Sequence, residues 1–78
     1  MIYLFNVYDD NNNKIKCEVL FTFSDSGKNF IVYKDEEGEV LASYYETYKD
    51  KIVVLPITSD KDYNLVDKKL SEWGENSE

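Results

Sequence analysis

The stretch 14–23, KIKCEVLFTF, decides the fold of this 78-residue chain. Its odd-numbered positions are apolar and its even-numbered positions are polar, with Leu20 as the one exception. This period of two is typical of a β-strand that buries one face. We therefore predict a strand here, and we expect one side of it to lie in the core, formed by Ile15, Cys17, Val19, Phe21 and Phe23.

Four further segments rich in β-branched and aromatic residues surround this strand, and turn-forming residues separate them. The loop 36–38, EEG, is typical of a three-residue hairpin whose glycine is left-handed. The pairs that result include Val32 with Ala42 and Phe30 with Tyr44. The connections are too short for crossovers, so the order indicates an antiparallel meander. The predicted strands span about 1–8, 14–23, 29–35, 40–48 and 51–57.

The segment after the fifth strand has the three- and four-residue spacing of an amphipathic helix. Ser59 is a suitable N-cap, and Asp62 follows three residues later, as in an acidic variant of the capping box. We predict a helix over about 60–73 that Gly74 caps, followed by a frayed tail over 75–78. Leu65 lies off the apolar stripe, which consists of Tyr63, Val66, Leu70 and Trp73.

These elements predict the α+β fold class, with a five-stranded antiparallel β-meander and one C-terminal α-helix packed on one face. We expect residues 1–78 to form a single domain, because the chain contains no linker, repeat or low-complexity tract. The helix covers only one face of the sheet, so the other face has to tolerate water.

Charge and missing residue types exclude several functions. The chain has sixteen carboxylates and nine cations, a net charge of −7, and contains neither arginine nor histidine. We therefore expect no direct nucleic-acid binding and no membrane binding. With no histidine and only Cys17 as a thiol, the chain lacks the residues of a catalytic triad, a disulfide or a thiolate zinc site. We expect a cytoplasmic protein with no catalytic, cofactor-binding or metal-binding residues.

Two acidic segments have the composition of metal sites. Asp9, Asn11 and Asn13 alternate as at the start of an EF-hand loop. Lys14 and Leu20, however, stand where that loop needs glycine and glutamate. The cluster 35–39, DEEGE, lies in a predicted hairpin loop, where solvated carboxylates are common. Hairpin turns are the better interpretation of both segments.

Four blocks of the sequence together resemble the YrzB-like family. They are 17–23 (CEVLFTF), Gly27-Lys28, Val32-Tyr33 and 55–60 (LPITSD), the last ahead of the predicted helix. The family comprises small acidic proteins of Gram-positive bacteria, classed as a domain of unknown function. The similarity extends from the end of the first predicted strand through Trp73. It implies a cytoplasmic β-rich domain with a C-terminal helix, and it transfers no activity, cofactor or catalytic residue.

Tyrosine is unusually abundant, with seven copies. In the hairpin register above, Tyr33 and Tyr45 share a face with Ile31 and Leu41, and we expect the helix to leave this face uncovered. Tyrosine contributes large, rigid area to interfaces, although cross-strand pairing that stabilises the sheet explains the same residues. We predict that these four residues form a partner-binding patch.

Three functions remain open. The preferred hypothesis is a non-enzymatic, protein-binding accessory domain, which self-associates or docks on a protein partner through this patch or through an exposed strand edge. The alternative is an acidic decoy that binds the basic groove of a nucleic-acid-handling protein, a hypothesis that rests on net charge alone. The third is a carboxylate hydrolase, which needs two rigid acidic groups across a dry groove.

Overall fold

The computed structural model describes residues 4–9 and 11–76. It confirms the α+β class, with five sequential strands and one C-terminal helix. Residues 1–3 of the first predicted strand and residues 77–78 of the predicted tail lie outside the described residues. The elements are β1 (Leu4–Tyr8), β2 (Lys14–Asp25), β3 (Lys28–Asp35), β4 (Val40–Tyr48), β5 (Lys51–Leu55) and α1 (Asp60–Asn76).

The meander closes into a barrel, which the sequence did not predict. Each strand pairs antiparallel with the next one. In addition, β1 and β5 pair in parallel, with Val7 opposite Ile52 and Tyr8 opposite Val53. Twisted strands curl as they accumulate, and closure gives the two edge strands partners. The sheet therefore has an inner face of its own, in addition to the face that the helix covers.

The hairpin between β3 and β4 confirms the predicted register. Val32 faces Ala42 and Phe30 faces Tyr44. Gly38 has a φ of 88°, which is the left-handed conformation that this loop needs at its last position. The backbone amide of Gly38 donates to the Asp35 carbonyl at 3.1 Å and closes the turn.

A β-bulge at Leu20 divides β2 into two halves. Val19 faces Tyr33 on β3, but Phe21 faces Val32, so Leu20 has no partner of its own. An extra residue reverses which side chains point to which face. The prediction that all five apolar side chains of β2 share one face is therefore wrong. Ile15, Cys17 and Val19 pack inside the barrel, whereas Phe21 and Phe23 pack on its outside.

Two apolar clusters lie on opposite sides of β3, whose residues 30–33 are all buried. The first, called the interior cluster, fills the barrel. It consists of Val7, Cys17, Ile31, Tyr33 and Val54. The second, called the helix-side cluster, joins the outer face of the sheet to α1. It consists of Phe30, Val32, Ile57 and Val66.

The helix packs with a slightly different face from the predicted one. Val66 is buried, and both Leu65 and Leu70 pack against the helix-side cluster. Tyr63, predicted to lie in the stripe, is 50% exposed, and Asp62 takes the inward position instead. The helix also continues through Gly74 to Asn76, so the predicted glycine cap is wrong. Within the part of the chain described, no helix combines the length and the apolar character that a membrane span requires.

Candidate functional site

The predicted tyrosine patch does not lie on the surface. Tyr33 and Leu41 are cross-strand partners, and Tyr45 packs against the interior cluster, which contains Tyr33 and Ile31, so the shared face was correctly identified. That face, however, lines the barrel. Ile31 is 1% exposed and Tyr33 is 4% exposed, Tyr45 is half-buried, and only Leu41 at the barrel mouth reaches 37% exposure. The expectation that these residues meet solvent is wrong, because closure of the sheet covers them without a second layer.

Both acidic segments form hairpin loops, as predicted. The Asp9 carboxylate accepts hydrogen bonds from the backbone amides of Asn11 (2.9 Å) and Asn13 (2.8 Å). Hydrogen bonds from Asn13 lower the pKa of Asp9. Asp35 binds the backbone amides of Glu37 and Glu39 in the same way, each at 2.9 Å. Carboxylate oxygens of Asp35, Glu37 and Glu39 lie within 4.8 Å of one another. The Asp35 carboxylate, however, already accepts the two backbone hydrogen bonds that close the loop.

The structure also places Cys17 as the sequence predicted. Its side chain is 1% exposed within the interior cluster. Burial raises the pKa of the Cys17 thiol, which disfavours the nucleophilic thiolate. Cys17 therefore contributes to packing in the barrel and offers no accessible reactive group.

The most distinctive surface feature is an opening between β3 and β4. The two strands pair from Lys34 and Val40 as far as Phe30 and Tyr44, where their pairing stops. Beyond this point β3 continues with β2 as its partner, and β4 continues with β5 as its partner. The two strands therefore separate, and the main-chain edges of residues 28–29 and 45–46 face an open space instead of each other.

This opening forms a groove of about 330 Å³, which we call the seam groove. In an antiparallel ladder, successive residues direct their amide and carbonyl groups to alternate sides. Beyond Tyr44, β4 lines the groove with Tyr45 and Glu46, and one of these two residues consequently directs its amide and carbonyl groups away from β5 and into the groove. The lining residues are Gly27, Lys28, Asn29, Tyr44, Tyr45, Glu46, Leu55 and Thr58.

A buried carboxylate fixes one wall of the seam groove. Asp62, 6% exposed on the first turn of α1, accepts a hydrogen bond from the Tyr44 hydroxyl at 2.6 Å. It also forms an ion pair of 2.9 Å with the Lys28 ammonium. The hydrogen bonds from Tyr44 and Lys28 lower the pKa of Asp62, and the bond to Asp62 raises the pKa of Lys28. This network joins β3, β4 and the helix.

Sequence reasoning assigned Asp62 only to helix capping. The Asp62 backbone amide does donate to Ser59 Oγ, over 3.4 Å, as a capping box requires. Its carboxylate, however, turns toward the sheet. The available signal was the spacing of Asp62 from Val66 and Leu70, four and eight residues on, which puts Asp62 in phase with the buried side of the helix.

Glu46 sets the sign of charge in the seam groove. Lys28 and Glu46 are its two charged lining residues, and Asp62 already pairs with Lys28. Among the described residues, no cation lies within ion-pair distance of Glu46. The groove thus combines free main-chain groups, tyrosine and leucine side chains, and one uncompensated negative charge.

The chain is similar to proteins that have been grouped but not assigned a function. Residues 10–75 match the model of the family described as "Protein of unknown function (DUF1292)". The UPF0473 protein YrzB of Bacillus subtilis is 33% identical over 77 residues, which cover 86% of this chain and 83% of YrzB. The UPF0473 protein RBAM_024480 of Bacillus velezensis is 29% identical with the same coverage. No solved structure matches the chain.

Proposed function

Because this chain belongs to the DUF1292 family, whose function is unknown, we propose a role from its geometry: it is a non-enzymatic, cytoplasmic protein-binding domain. It accepts an extended segment of a partner protein as an added strand in the seam groove. The observation that carries this proposal is the end of β3–β4 pairing at Phe30 and Tyr44, although both strands continue beyond it.

An added strand suits the groove for two physical reasons. Unpaired amide and carbonyl groups at a strand edge form main-chain hydrogen bonds with any extended peptide, and alternate side chains then give specificity. The Asp62 network holds the Lys28 wall in place, so a peptide meets a preformed slot and less entropy is lost on binding. The free carboxylate of Glu46 favours a segment that carries lysine or arginine beside it.

The test uses dodecapeptides selected from a random phage-displayed library on the immobilised protein. We expect the selected peptides to shift the backbone amide resonances of residues 28–29 and 45–46. N-methylation of alternate peptide amides, those that face β4, should weaken binding roughly twofold to tenfold for each lost bond. N-methylation of the intervening amides should have little effect. Equal tolerance at both sets, or shifts confined to another surface, would contradict strand addition.

An acidic decoy is the second candidate, and the carboxylate cluster at Asp35, Glu37 and Glu39 favours it. This cluster lies at the end of β3 opposite the seam groove. Two charge reversals with the same net change separate the candidates. Strand addition predicts that Glu46→Lys weakens binding of a lysine-bearing peptide and that Glu37→Lys does not. A decoy predicts comparable losses, together with a steep decline of affinity between low and moderate salt.

A further inference from the structure

The seam groove is closed at one end. The strands β3 and β4 are paired as far as Phe30 and Tyr44, and they separate only beyond this pair. Paired strands lie about 4.8 Å apart, so a third strand between them needs roughly twice that separation. An added strand therefore cannot pass between Phe30 and Tyr44. Either one end of the bound chain lies short of this pair, or the chain turns out of the sheet there.

A chain that turned out of the sheet would meet a barrier on either side. On the inner side, Tyr45 packs against the interior cluster, which fills the barrel. On the outer side, Lys28 of β3 and Tyr44 of β4 both bind the Asp62 carboxylate of α1, so this network crosses the groove. The closed end consequently suits a chain terminus better than the middle of a chain.

The direction of the strands does not decide which terminus lies there. Along the sequence, β3 runs toward the closed end and β4 runs away from it. A segment with its N-terminus at the closed end would be antiparallel to β3 and parallel to β4, and the opposite orientation exchanges these two relations. Either orientation gives one ladder of each type. Main-chain hydrogen bonding therefore favours neither terminus, and the local charge has to decide.

Carboxylates outnumber ammonium groups around the groove. Lys28 pairs with Asp62, and Asp25 faces Lys28 across β2 and β3. Lys61 also acts electrostatically on Asp62, and it is the second cation of this group. With Glu46, which lines the groove, the five groups sum to one negative charge. The carboxylate of a C-terminus would increase this excess, whereas the ammonium group of an N-terminus would neutralise it.

We propose that the closed end of the seam groove binds the free N-terminal amine of a partner protein. This inference rests on the proposed function, because it names the part of a partner that the groove accepts. Glu46 stands two residues beyond Tyr44, about 6.8 Å along β4. A terminus that stops short of Tyr44 by this distance lies level with the Glu46 carboxylate. The α-amino group has an ordinary pKa of about 7.7–8.0, so at neutral pH it is mostly charged and can pair with Glu46.

The test uses the dodecapeptides selected for the proposed function, from a library fused to the phage coat protein through the C-terminus of each peptide. Each peptide is synthesised with a free and with an acetylated N-terminus. Acetylation removes the positive charge and keeps the rest of the main chain. We expect it to weaken binding roughly fivefold to twentyfold in isothermal titration calorimetry. Amidation of the C-terminus, the matched control, should change affinity by less than about twofold.

Two variants of the protein locate the group that the amine meets. Glu46→Gln keeps the shape of the side chain and removes its charge, so acetylation should then weaken binding by no more than about twofold. Glu37→Gln makes the same change in the hairpin at the opposite end of β3, and the full effect of acetylation should persist. Circular dichroism of both variants establishes that they are folded.

The outcomes separate this inference from the proposed function. If no selected peptide shifts the amide resonances of residues 28–29 and 45–46, strand addition fails and this inference fails with it. Peptides that shift those resonances, but bind equally well when acetylated, would overturn the inference and leave strand addition intact. An effect of acetylation that Glu46→Gln leaves unchanged would overturn it as well.

Discussion

The outer surface of the barrel has two halves, one apolar and covered by the helix and one polar and exposed to solvent, and β2 contributes to both. Where α1 lies, β2 presents Phe21 and Phe23 to the helix. Where the barrel is bare, the same strand presents Lys14 and Lys16 to solvent. The bulge at Leu20 makes this change possible. A strand with apolar residues at every odd position can therefore fill the barrel with its first half and hold a helix with its second.

The largest effect should come from the helix-covered half. Phe30 is completely buried and stacks on Phe23 with ring centres 4.6 Å apart. Truncation in Phe30→Ala leaves a cavity, and we expect the free energy of unfolding to fall by about 3–5 kcal/mol in chemical denaturation. Lys16→Ala, at an exposed position of β2 on the bare half of the barrel, is the control and should change it by no more than about 0.5 kcal/mol. Similar values for the two variants would mean that the halves do not differ in burial.

The next effect concerns the contact that joins the helix to the sheet. Tyr44→Phe keeps the ring against Phe30 and removes the hydroxyl that donates to Asp62. A hydrogen bond to a charged group contributes about 1.5–3 kcal/mol, so we expect a loss of that size in the free energy of unfolding. Tyr48→Phe is the matched control, because the Tyr48 side chain is 64% exposed. A loss below about 0.5 kcal/mol for Tyr44→Phe would show that the hydrogen bond from Tyr44 to Asp62 does not stabilise the fold.

Acid should weaken the same contact. In the folded protein, hydrogen bonds from Tyr44 and Lys28 hold the pKa of Asp62 below its ordinary value of 3.8. The ionised carboxylate therefore stabilises the fold above about pH 3.8, and this contribution is lost as the pH falls toward the lowered pKa. We expect Asp62→Asn to be less stable than the unmodified protein at neutral pH, with the difference shrinking below pH 3.8. A difference that stays constant down to pH 2 would contradict the ionic role.

Most of the fold could be predicted from local sequence patterns. The 36–38 loop gave the β3–β4 register, because loop length and a glycine at its end restrict the backbone strongly. Closure of the barrel could not be predicted from the sequence, because the parallel pairing of β1 with β5 involves only two residue pairs, and no sequence pattern marks them. The consequence was large: Tyr33 was assigned to the correct face of the sheet, but that face encloses the interior cluster.

Less of the candidate site than of the fold could be predicted from the sequence. The seam groove arises where pairing stops within two continuous strands, and strand composition does not record where two strands separate. The bulge is marked in the sequence, because Leu20 is the one apolar residue at an even position of the stretch 14–23. An exception to alternation near the middle of a long strand is therefore a useful sign that its faces exchange there.

A smaller effect tests that exchange of faces directly. Phe23 and Phe30 stack on the helix side, whereas Cys17 lies inside the barrel. In a double-mutant cycle of Phe23→Leu with Phe30→Leu, we expect a coupling energy of about 0.5–1.5 kcal/mol, as aromatic pairs give. The cycle of Phe23→Leu with Cys17→Ala should give about zero within 0.5 kcal/mol. Coupling of Phe23 to Cys17 instead would place both on one face and remove the bulge.

The smallest effect should come from Lys16, on the bare half of the barrel, and its sign is informative. Lys16 shares a shallow pocket with Asp35, Glu36 and Glu37, so Lys16→Glu replaces an attraction with a repulsion. We expect the free energy of unfolding to fall by up to about 0.5 kcal/mol at low salt, and the loss to vanish near 1 M salt, where charges are screened beyond about 3 Å. A gain of stability at low salt would contradict this expectation, because it would show that repulsion from Lys14 outweighs attraction by the carboxylates of the pocket.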